Sequence, residues 1–257
     1  MTVRVGVEPG FGHDQDNELV VFEPGNTGML TINVDTMSPS GILRAEKMNL
    51  VPSGLADLIV TTNINYAIEH LFDPEHKGRV FSVFRNPIER YISLFYYVQQ
   101  ATWERSYNPL WHNMSLFNWA QEYMINDYHV NTLTKSLSKK NSHEEVTEQD
   151  LRIAQRTVNK RIFVGLIDNM EESIHRFNYI MGVDESSQLN RECIDKYFGH
   201  GVKKSNSNSH PKVDESDPAW QYLAERNQYD VRLFEYIVQV FDEQRKVIFH
   251  SMQNEVG

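Results

Sequence analysis

The fold is decided by one stretch of sequence, residues 79–98, which reads RVFSVFRNPIERYISLFYYV. Its first six residues are rich in valine and phenylalanine, which predicts a buried β-strand. The strand runs directly into Arg85, Asn86 and Pro87, and proline suits the first helical turn because its missing N–H has no partner there anyway. The helix that follows, to about Gln100, is apolar on nearly every side, as expected of a central helix packed on a sheet.

Strands and helices alternate on both sides of this stretch. Further strands are predicted at 56–62 and 161–166, and helices at 67–71, 151–160, 171–181, 220–226 and from Asp230 to about Ser251. The sequence Thr147-Glu148-Gln149-Asp150 is typical of a capped helix start. Buried strands that alternate with helices indicate an α/β fold with a central, mainly parallel sheet flanked by helices.

The first 54 residues indicate short β segments between turns, with a short helix at 42–49. The β segments are predicted at 19–22 and 29–34, and the turns at 23–26 and 38–41. Polar and turn-forming residues cluster at 7–17, 136–148 and 199–218. We expect one domain over residues 1–257, with an irregular, β-rich part up to residue 54.

Composition excludes several classes of protein. The 257 residues carry a formal net charge of −10, which argues against a protein that coats nucleic acid. A single cysteine, Cys193, excludes an intramolecular disulfide and any multi-cysteine metal site. No stretch approaches the roughly 18 apolar residues that a membrane-spanning helix needs, and the first 15 residues are too polar for a secretory signal. We therefore expect a soluble chain without a membrane segment.

The residues at the strand-to-helix junction suit an anionic ligand. In a parallel α/β sheet, ligands bind where the carboxyl ends of strands and the amino ends of helices converge. Arg85 lies at such a junction, and Ser93 follows two helical turns later. An arginine and a hydroxyl can grip a phosphate through one charge-assisted and one neutral hydrogen bond. The spacing equally fits an Arg85 that caps local carbonyls and a Ser93 that is a small core residue.

Residues 81–97 closely resemble the second nucleotide-binding segment of Golgi-type carbohydrate sulfotransferases, in which a strand is followed by Arg-x-Pro-x-x-Arg-x-x-Ser and a helix. In that family the first Arg and the Ser hold the 3′-phosphate of PAPS, so the resemblance implies this role for Arg85 and Ser93. Segments 99–104, 163–173 and 227–241 are similar to the same family. The resemblance covers residues 55–250 and implies sulfuryl transfer from PAPS to a hydroxyl acceptor, expected to be a carbohydrate, with PAP as product and no metal.

The 5′-phosphosulfate loop of that family is not recognisable in this chain. The family places a lysine followed by Gly, Ser or Thr residues between its first strand and first helix, where backbone N–H groups bind the phosphosulfate. The nearest glycine-containing turn, Pro24-Gly25-Asn26-Thr27-Gly28, has no lysine and precedes a β segment, so we interpret it as an ordinary turn.

The catalytic base of that family is also not recognisable in this chain. Related enzymes place a His or Glu near the phosphosulfate loop or at the end of the strand that here finishes with Asn63 and Asn65. A neutral amide cannot accept the proton of an acceptor hydroxyl as a base would. Glu69 and His70 follow within two turns and are weak candidates, with a solvated helix face as the alternative interpretation.

A locally basic loop at 199–211 stands out in this acidic chain. The family often has a flexible loop here that closes over the donor nucleotide, so the resemblance makes Lys203, Lys204 and Ser205 candidates for phosphate or adenine contacts. A plain solvent-exposed loop fits the same residues equally well.

The leading hypothesis is a PAPS-dependent sulfotransferase. The alternative is a catalytically inactive or truncated protein of the same fold that binds nucleotide or a partner, because Met1 falls where a first strand, phosphate loop and helix should already have passed. A nucleoside-triphosphate hydrolase is not supported, since no Gly-x-x-x-x-Gly-Lys-Ser/Thr motif occurs in the sequence. The acidic charge favours a neutral glycan as acceptor. The compartment stays open: the Golgi lumen if the full-length protein has an N-terminal anchor, and otherwise a soluble intracellular location.

Overall fold

A computed structural model describes residues 4–6, 18–23, 25, 30–104, 107–198 and 211–255, with the backbone alone at 4–6, 197–198 and 249–255. The chain forms two compact units, Met1–Arg79 and Val80–Gly257. The expectation of a single domain over residues 1–257 stays a prediction. Over the part of the chain just defined, no helix combines the length and the apolar character needed to span a bilayer.

The first unit contains a small sheet and two helices. Its described elements are β1 Arg4–Gly6, β2 Val21–Phe22, β3 Leu30–Ile32, α1 Pro39–Lys47, β4 Leu58–Ile59 and α2 Ile64–Leu71. The strand order is β2-β3-β1-β4, in which β1 is parallel to both β3 and β4, and β2 is antiparallel to β3. Its core is formed by apolar residues of β3, α1, α2 and the segments that follow β3 and α1: Ile32, Val34, Ile42, Ala45, Leu50, Ala67 and Leu71.

The second unit is mostly helical around one parallel strand pair. Its elements are β5 Val80–Phe84, α3 Pro87–Val98, α4 Leu116–Tyr123, α5 Thr132–Ser138, α6 Glu148–Arg161, β6 Ile162–Leu166, α7 Met170–Met181, α8 Gln188–Phe198, α9 Pro218–Arg226 and α10 Gln228–Glu255. Single 3-10 turns lie at Pro109–Trp111, Asp127–His129 and Ile167–Asn169. Strands β5 and β6 pair over five positions, from Val80 opposite Ile162 to Phe84 opposite Leu166.

The predicted α/β class is confirmed, although the strands within the described ranges form two small sheets of four and two strands. The predicted capped start of α6 is also confirmed, since Thr147 and Asp150 form a reciprocal capping box. The turn predicted at 38–41 is wrong, because Ser38 caps α1 and the helix begins at Pro39. The strand predicted at 56–62 shrinks to Leu58–Ile59. Helices α4, α5 and α8 are additional to the predicted elements.

Helix α3 supplies the centre of the larger core, as its apolar sequence predicted. It contacts α4, α9 and α10. The cluster contains Ile88, Tyr91, Ile92, Phe95, Val98, Trp119, Ala120, Met124, Val130 and Leu223. Burial of this face holds α3 in place and leaves its other face, with Arg85, Glu89 and Ser93, only partly covered.

Two helix N-termini meet and cap each other in this unit. The fully buried Asp230 carboxylate, in the first turn of α10, accepts the N–H of Leu133 at 3.0 Å and both the N–H and hydroxyl of Thr134 at 2.7 Å. In return, the Asn131 side-chain oxygen at the start of α5 accepts the N–H of Asp230 at 3.1 Å. Burial raises the pKa of Asp230, and the hydrogen bonds from Thr134 and Leu133 act in the opposite direction. Each helix thereby satisfies N–H groups that the other leaves without a partner.

Helix α10 also fixes the outer edge of β6. The Gln244 side chain accepts the N–H of Val164 at 2.9 Å and donates to the carbonyl of Ile162 at 2.8 Å, as a neighbouring strand would. The next residue of α10, Arg245, donates a hydrogen bond of 2.7 Å to each oxygen of Glu172 on α7. Glu172 also pairs with the buried Arg176. These polar contacts attach α7 and β6 to α10.

Asp230→Ala should lower the free energy of unfolding by about 3 kcal/mol, because it leaves three donors without an acceptor in a dry environment. Urea denaturation at neutral pH measures this loss. The control is Asp214→Ala, which removes an exposed carboxylate whose hydrogen-bond partner among the described residues is Ser216, and it should cost about 0.5 kcal/mol or less. Equal losses in the two variants would show that the reciprocal caps contribute little.

Hydrogen bonds from Arg245, and then from Arg176, lower the pKa of Glu172 below its ordinary 4.5. The stability that this gives is complete above pH 4.5 and is lost as pH falls through the lowered pKa. Glu172→Gln should therefore flatten the fall of the urea midpoint below about pH 5. Glu171→Gln is the matched control, since the exposed Glu171 forms no ion pair with any described residue. An equally steep acid limb in Glu172→Gln would contradict the assignment.

Candidate functional site

The candidate site begins where β5 ends and α3 starts. β5 finishes at the buried Phe84, and Arg85 follows at once. Asn86 caps α3, because its side-chain oxygen accepts the N–H groups of the second and third helical residues at 2.9 and 3.3 Å. Pro87 occupies the first helical position. The carboxyl end of a parallel strand and the positive end of a helix dipole therefore meet at Arg85.

Glu89 and Ser93 are four residues apart and lie on one face of α3, and Arg85, which precedes the helix, contacts Glu89. The Arg85 Nε is 3.7 Å from a Glu89 carboxylate oxygen, and the two side chains are 29% and 39% exposed. An ion pair of this length and exposure is weak, so it does not commit the guanidinium. Arg85 donates no hydrogen bond within the ranges that the structure describes, and it caps no carbonyl there. The Glu89 carboxylate would repel a phosphate at Arg85, so the Glu89 side chain must rotate away from Arg85 when an anion binds.

Ser93 is half-buried, and its hydroxyl has no hydrogen-bond partner among the described residues. A buried helical serine usually satisfies its hydroxyl on the carbonyl four residues earlier, as Ser173 does on Asn169 at 2.7 Å. Ser93 therefore keeps a donor and an acceptor available at the same face as Arg85. Glu89 lies between Arg85 and Ser93 along the chain, four residues from each, and it contacts Arg85.

The second arginine of the motif has a different task. Arg90 donates to the Thr132 hydroxyl at 2.8 Å and lies 4.6 Å from the centre of the Tyr91 ring. The Tyr91 hydroxyl donates to the carbonyl of His129 at 2.5 Å, and burial raises the pKa of Tyr91 to about 12. Arg90 thus attaches α3 to α5, and Tyr91 attaches it to the 3-10 turn that precedes α5.

The two base candidates lie in the first unit, on α2, whereas Arg85 and Ser93 lie in the second. His70 places its Nδ1 2.9 Å from a carboxylate oxygen of Glu46 on α1, and its ring is 4.3 Å from that of Tyr66. When the ring is neutral, the tautomer that fits this contact has its proton on Nδ1, and Nε2 is then the nitrogen that can accept a proton. Glu69 is exposed on the same helix.

The two asparagines at the end of the β4 segment are structural. The Asn63 amide donates to the carbonyl of Met37 at 2.7 Å and so holds the segment between β3 and α1. Asn65 is 5% exposed within α2. Neither amide is placed to accept a proton, in agreement with the chemistry of the group.

A second strand-to-helix turn, between β3 and α1, was missed by the sequence interpretation. It has the same order as the first: the cap Ser38 precedes Pro39, as Asn86 precedes Pro87. The Asp35 carboxylate accepts the N–H of Met37 at 2.9 Å and the hydroxyl of Ser38 at 2.8 Å. The signal was present as a β-rich run followed by Ser-Pro-x-Gly, a typical capped helix start. The turn is filled by the chain's own carboxylate and contains no lysine.

Gly41 makes this turn sterically possible. A Cβ at this position would lie 1.7 Å from the carbonyl oxygen of Asp35, so no other residue fits without moving the backbone. Gly41 thus allows the backbone to pack closely at this turn, as glycines do in phosphate-binding turns. The anion at this turn is the chain's own Asp35 carboxylate.

The structure does not describe the remaining predicted nucleotide contacts. Lys203, Lys204 and Ser205 lie outside the described residues, as do four of the five residues of the turn at 24–28. Within the described part of the chain, no three His, Cys, Asp or Glu side chains are grouped closely enough to hold a metal ion.

Residues 62–237 match the Sulfotransferase family. The match spans more than half of the chain, and the chain therefore belongs to this family. It includes Glu69, His70, Arg85 and Ser93, and it begins after the β3–α1 turn. None of the curated proteins and none of the solved structures gives a match. The resemblance to sulfotransferases is thus confirmed at the level of the family, and the Golgi carbohydrate subtype stays a prediction.

Proposed function

We propose that this protein transfers a sulfuryl group from PAPS to a hydroxyl of a carbohydrate acceptor. The observation that supports the proposal is the strand-to-helix junction at Arg85 with Ser93 on the helix that follows, two side chains to which the described residues give no strong partner. Membership of the Sulfotransferase family gives this pair a chemical context. PAPS supplies the sulfuryl group and departs as PAP once the bond between sulfur and the 5′-phosphate oxygen has broken.

Arg85 is proposed to grip the 3′-phosphate through its guanidinium, and Ser93 to donate its hydroxyl to the same group. The positive end of the α3 dipole adds to the attraction. Both residues act on the end of the nucleotide that does not react. Their contribution is therefore binding and positioning, which lowers the entropic part of the barrier. Lys203, Lys204 and Ser205 remain proposed nucleotide contacts on the strength of the sequence.

His70 is proposed as the general base, with Glu46 as a positioning residue. The Nε2 lone pair takes the proton from the acceptor hydroxyl as the new oxygen–sulfur bond forms, and Glu46 fixes the tautomer through Nδ1. Glu69 is the second candidate, since it is a carboxylate on the same helix.

A second function is favoured by the β3–α1 turn. Asp35 takes the donors of that turn, and residues 35–41 include no lysine to neutralise a phosphosulfate. A protein with this turn in place of a phosphate loop suits a nucleotide-binding module without turnover. Sulfate transfer from labelled PAPS to a glycan panel separates the two: transfer supports the enzyme, and PAP binding without transfer supports the module.

Arg85→Ala should weaken PAP binding by about 1.5–3 kcal/mol, since a charge-assisted contact is lost, and Ser93→Ala by about 0.5–1.5 kcal/mol. Isothermal titration at fixed ionic strength measures both, with ATP as the competing nucleotide. Arg232→Ala is the matched control, because this arginine is exposed on α10 and paired with Glu148. If Arg85→Ala binds PAP as tightly as the unaltered protein, the 3′-phosphate assignment is refuted.

His70→Ala should lower kcat by about a hundredfold or more while PAP affinity is unchanged, and added imidazole should restore part of the activity. Glu46→Gln should lower kcat less and leave the KM for PAPS unaltered. His175→Ala is the control, because His175 forms the same kind of contact, Nδ1 to Glu185 at 2.7 Å, on α7. Full activity of His70→Ala, or a fall that imidazole does not reverse, would exclude His70 as the base.

A further inference from the structure

The Arg85 face of α3 continues towards the C-terminal end of the helix. Tyr97 follows Ser93 by four residues and lies one turn further along that face, about 6 Å in rise. The chain then turns back, with the N–H of Ala101 on the carbonyl of Tyr97 and the N–H of Glu104 on that of Ala101, both at 3.0 Å. This turn places Trp103 and Glu104 beside Tyr97. We call these three residues the Trp103 surface.

The Trp103 side chain is 70% exposed. Its ring meets that of Tyr97 edge to face, with 6.3 Å between centroids and an angle of 77°. Tyr97 therefore does not stack flat against the indole. A single exposed aromatic is common at protein surfaces, so the neighbouring groups decide whether Trp103 has a ligand.

The neighbouring group is a fixed carboxylate. One oxygen of Glu104 accepts the hydroxyl of Tyr97 at 2.5 Å. This hydrogen bond raises the pKa of Tyr97, so the phenol keeps its proton and continues to hold Glu104. The other Glu104 oxygen has no partner among the residues that the structure describes, and it is available as a hydrogen-bond acceptor beside the exposed indole.

A flat apolar ring next to a positioned acceptor suits one class of ligand, a neutral sugar. The C–H groups on one face of a pyranose pack on an indole, and its hydroxyl groups donate to a carboxylate. A sulfated or carboxylated sugar would be repelled by Glu104, which agrees with the net charge of −10. We propose that the Trp103 surface binds a neutral pyranose of the acceptor, with the ring on Trp103 and a hydroxyl on Glu104.

This inference rests on the proposed function, because the sugar is taken to be part of the acceptor. Since Arg85 and Ser93 act on the end of the nucleotide that does not react, the pyranose on the Trp103 surface is a unit of the acceptor other than the one that receives the sulfuryl group. The donor grip is at Arg85 and Ser93, and the Trp103 surface follows one turn beyond Ser93. The adenine of the nucleotide is the competing occupant of an exposed indole, and the experiment separates the two.

The test measures binding of a panel of neutral oligosaccharides, including lactose and N,N′-diacetylchitobiose, and separately of PAP. The unaltered protein should bind at least one panel member. Trp103→Ala should weaken that binding by about tenfold, Trp103→Phe less, and Glu104→Gln by an intermediate factor, with PAP affinity unchanged throughout. Leu110→Ala is the control, since Leu110 is 75% exposed in the same unit, and it should bind like the unaltered protein.

Three results would overturn the inference: no panel member binds, the binding is indifferent to Trp103, or Trp103→Ala weakens PAP binding, which would assign the indole to the nucleotide. Failure of the proposed function gives a different pattern. If PAP binding requires Arg85 but no sugar requires Trp103, the inference falls and the proposed function stands. If sugars require Trp103 while PAP does not bind, the surface remains a glycan site and the proposed donor is wrong.

Discussion

The second unit depends on the reciprocal capping of α5 and α10. Asp230 supplies the acceptor for the first turn of α5, and Asn131 supplies one for the first turn of α10, in surroundings that exclude water. Unsatisfied N–H groups at two buried helix ends would otherwise oppose folding. The contacts then continue around the unit: α10 holds β6 through Gln244, β6 pairs with β5, β5 runs into α3, and Arg90 returns from α3 to the start of α5.

This closed set of contacts holds the backbone around Arg85 and Ser93 in place, while the two side chains remain available to a ligand. The residues around Arg85 are strongly held, since Asn86 caps α3 and Arg90 is bound to Thr132. Among the described residues, Arg85 has one loose ion pair, with Glu89, and the half-buried hydroxyl of Ser93 has no hydrogen-bond partner. A rigid frame with weakly committed polar groups is what a binding site requires, because the ligand then replaces few existing interactions.

The two strand-to-helix turns of the chain show opposite solutions to the same geometry. At the start of α3 the anion-attracting end of the helix is next to a cation, Arg85, and suits an external phosphate. Before α1, Asp35 accepts the N–H of Met37 and the hydroxyl of Ser38, and Ser38 accepts the N–H of Gly41, so these donors already have partners within the turn. This contrast is the reason that membership of the family and catalysis are separate questions for this chain.

The sequence by itself determined the features that depend on neighbours along the chain. The Val/Phe run before Arg85, the Asn-Pro start of α3 and the capping box at Thr147 and Asp150 are local signals, and the α/β class follows from their order. The motif also named Arg85 and Ser93. Only the tertiary structure decided which groups keep partners. The acceptors for Leu133 and Thr134 come from a residue about a hundred positions later, the amide of Asn63 goes to Met37, and Arg90 leaves the site for Thr132. The tertiary structure likewise decided the exposure of Trp103 and the contacts of Asp35 within its own turn. Such pairings depend on which elements pack together, and the local pattern of residues carries no information about contacts so distant along the chain.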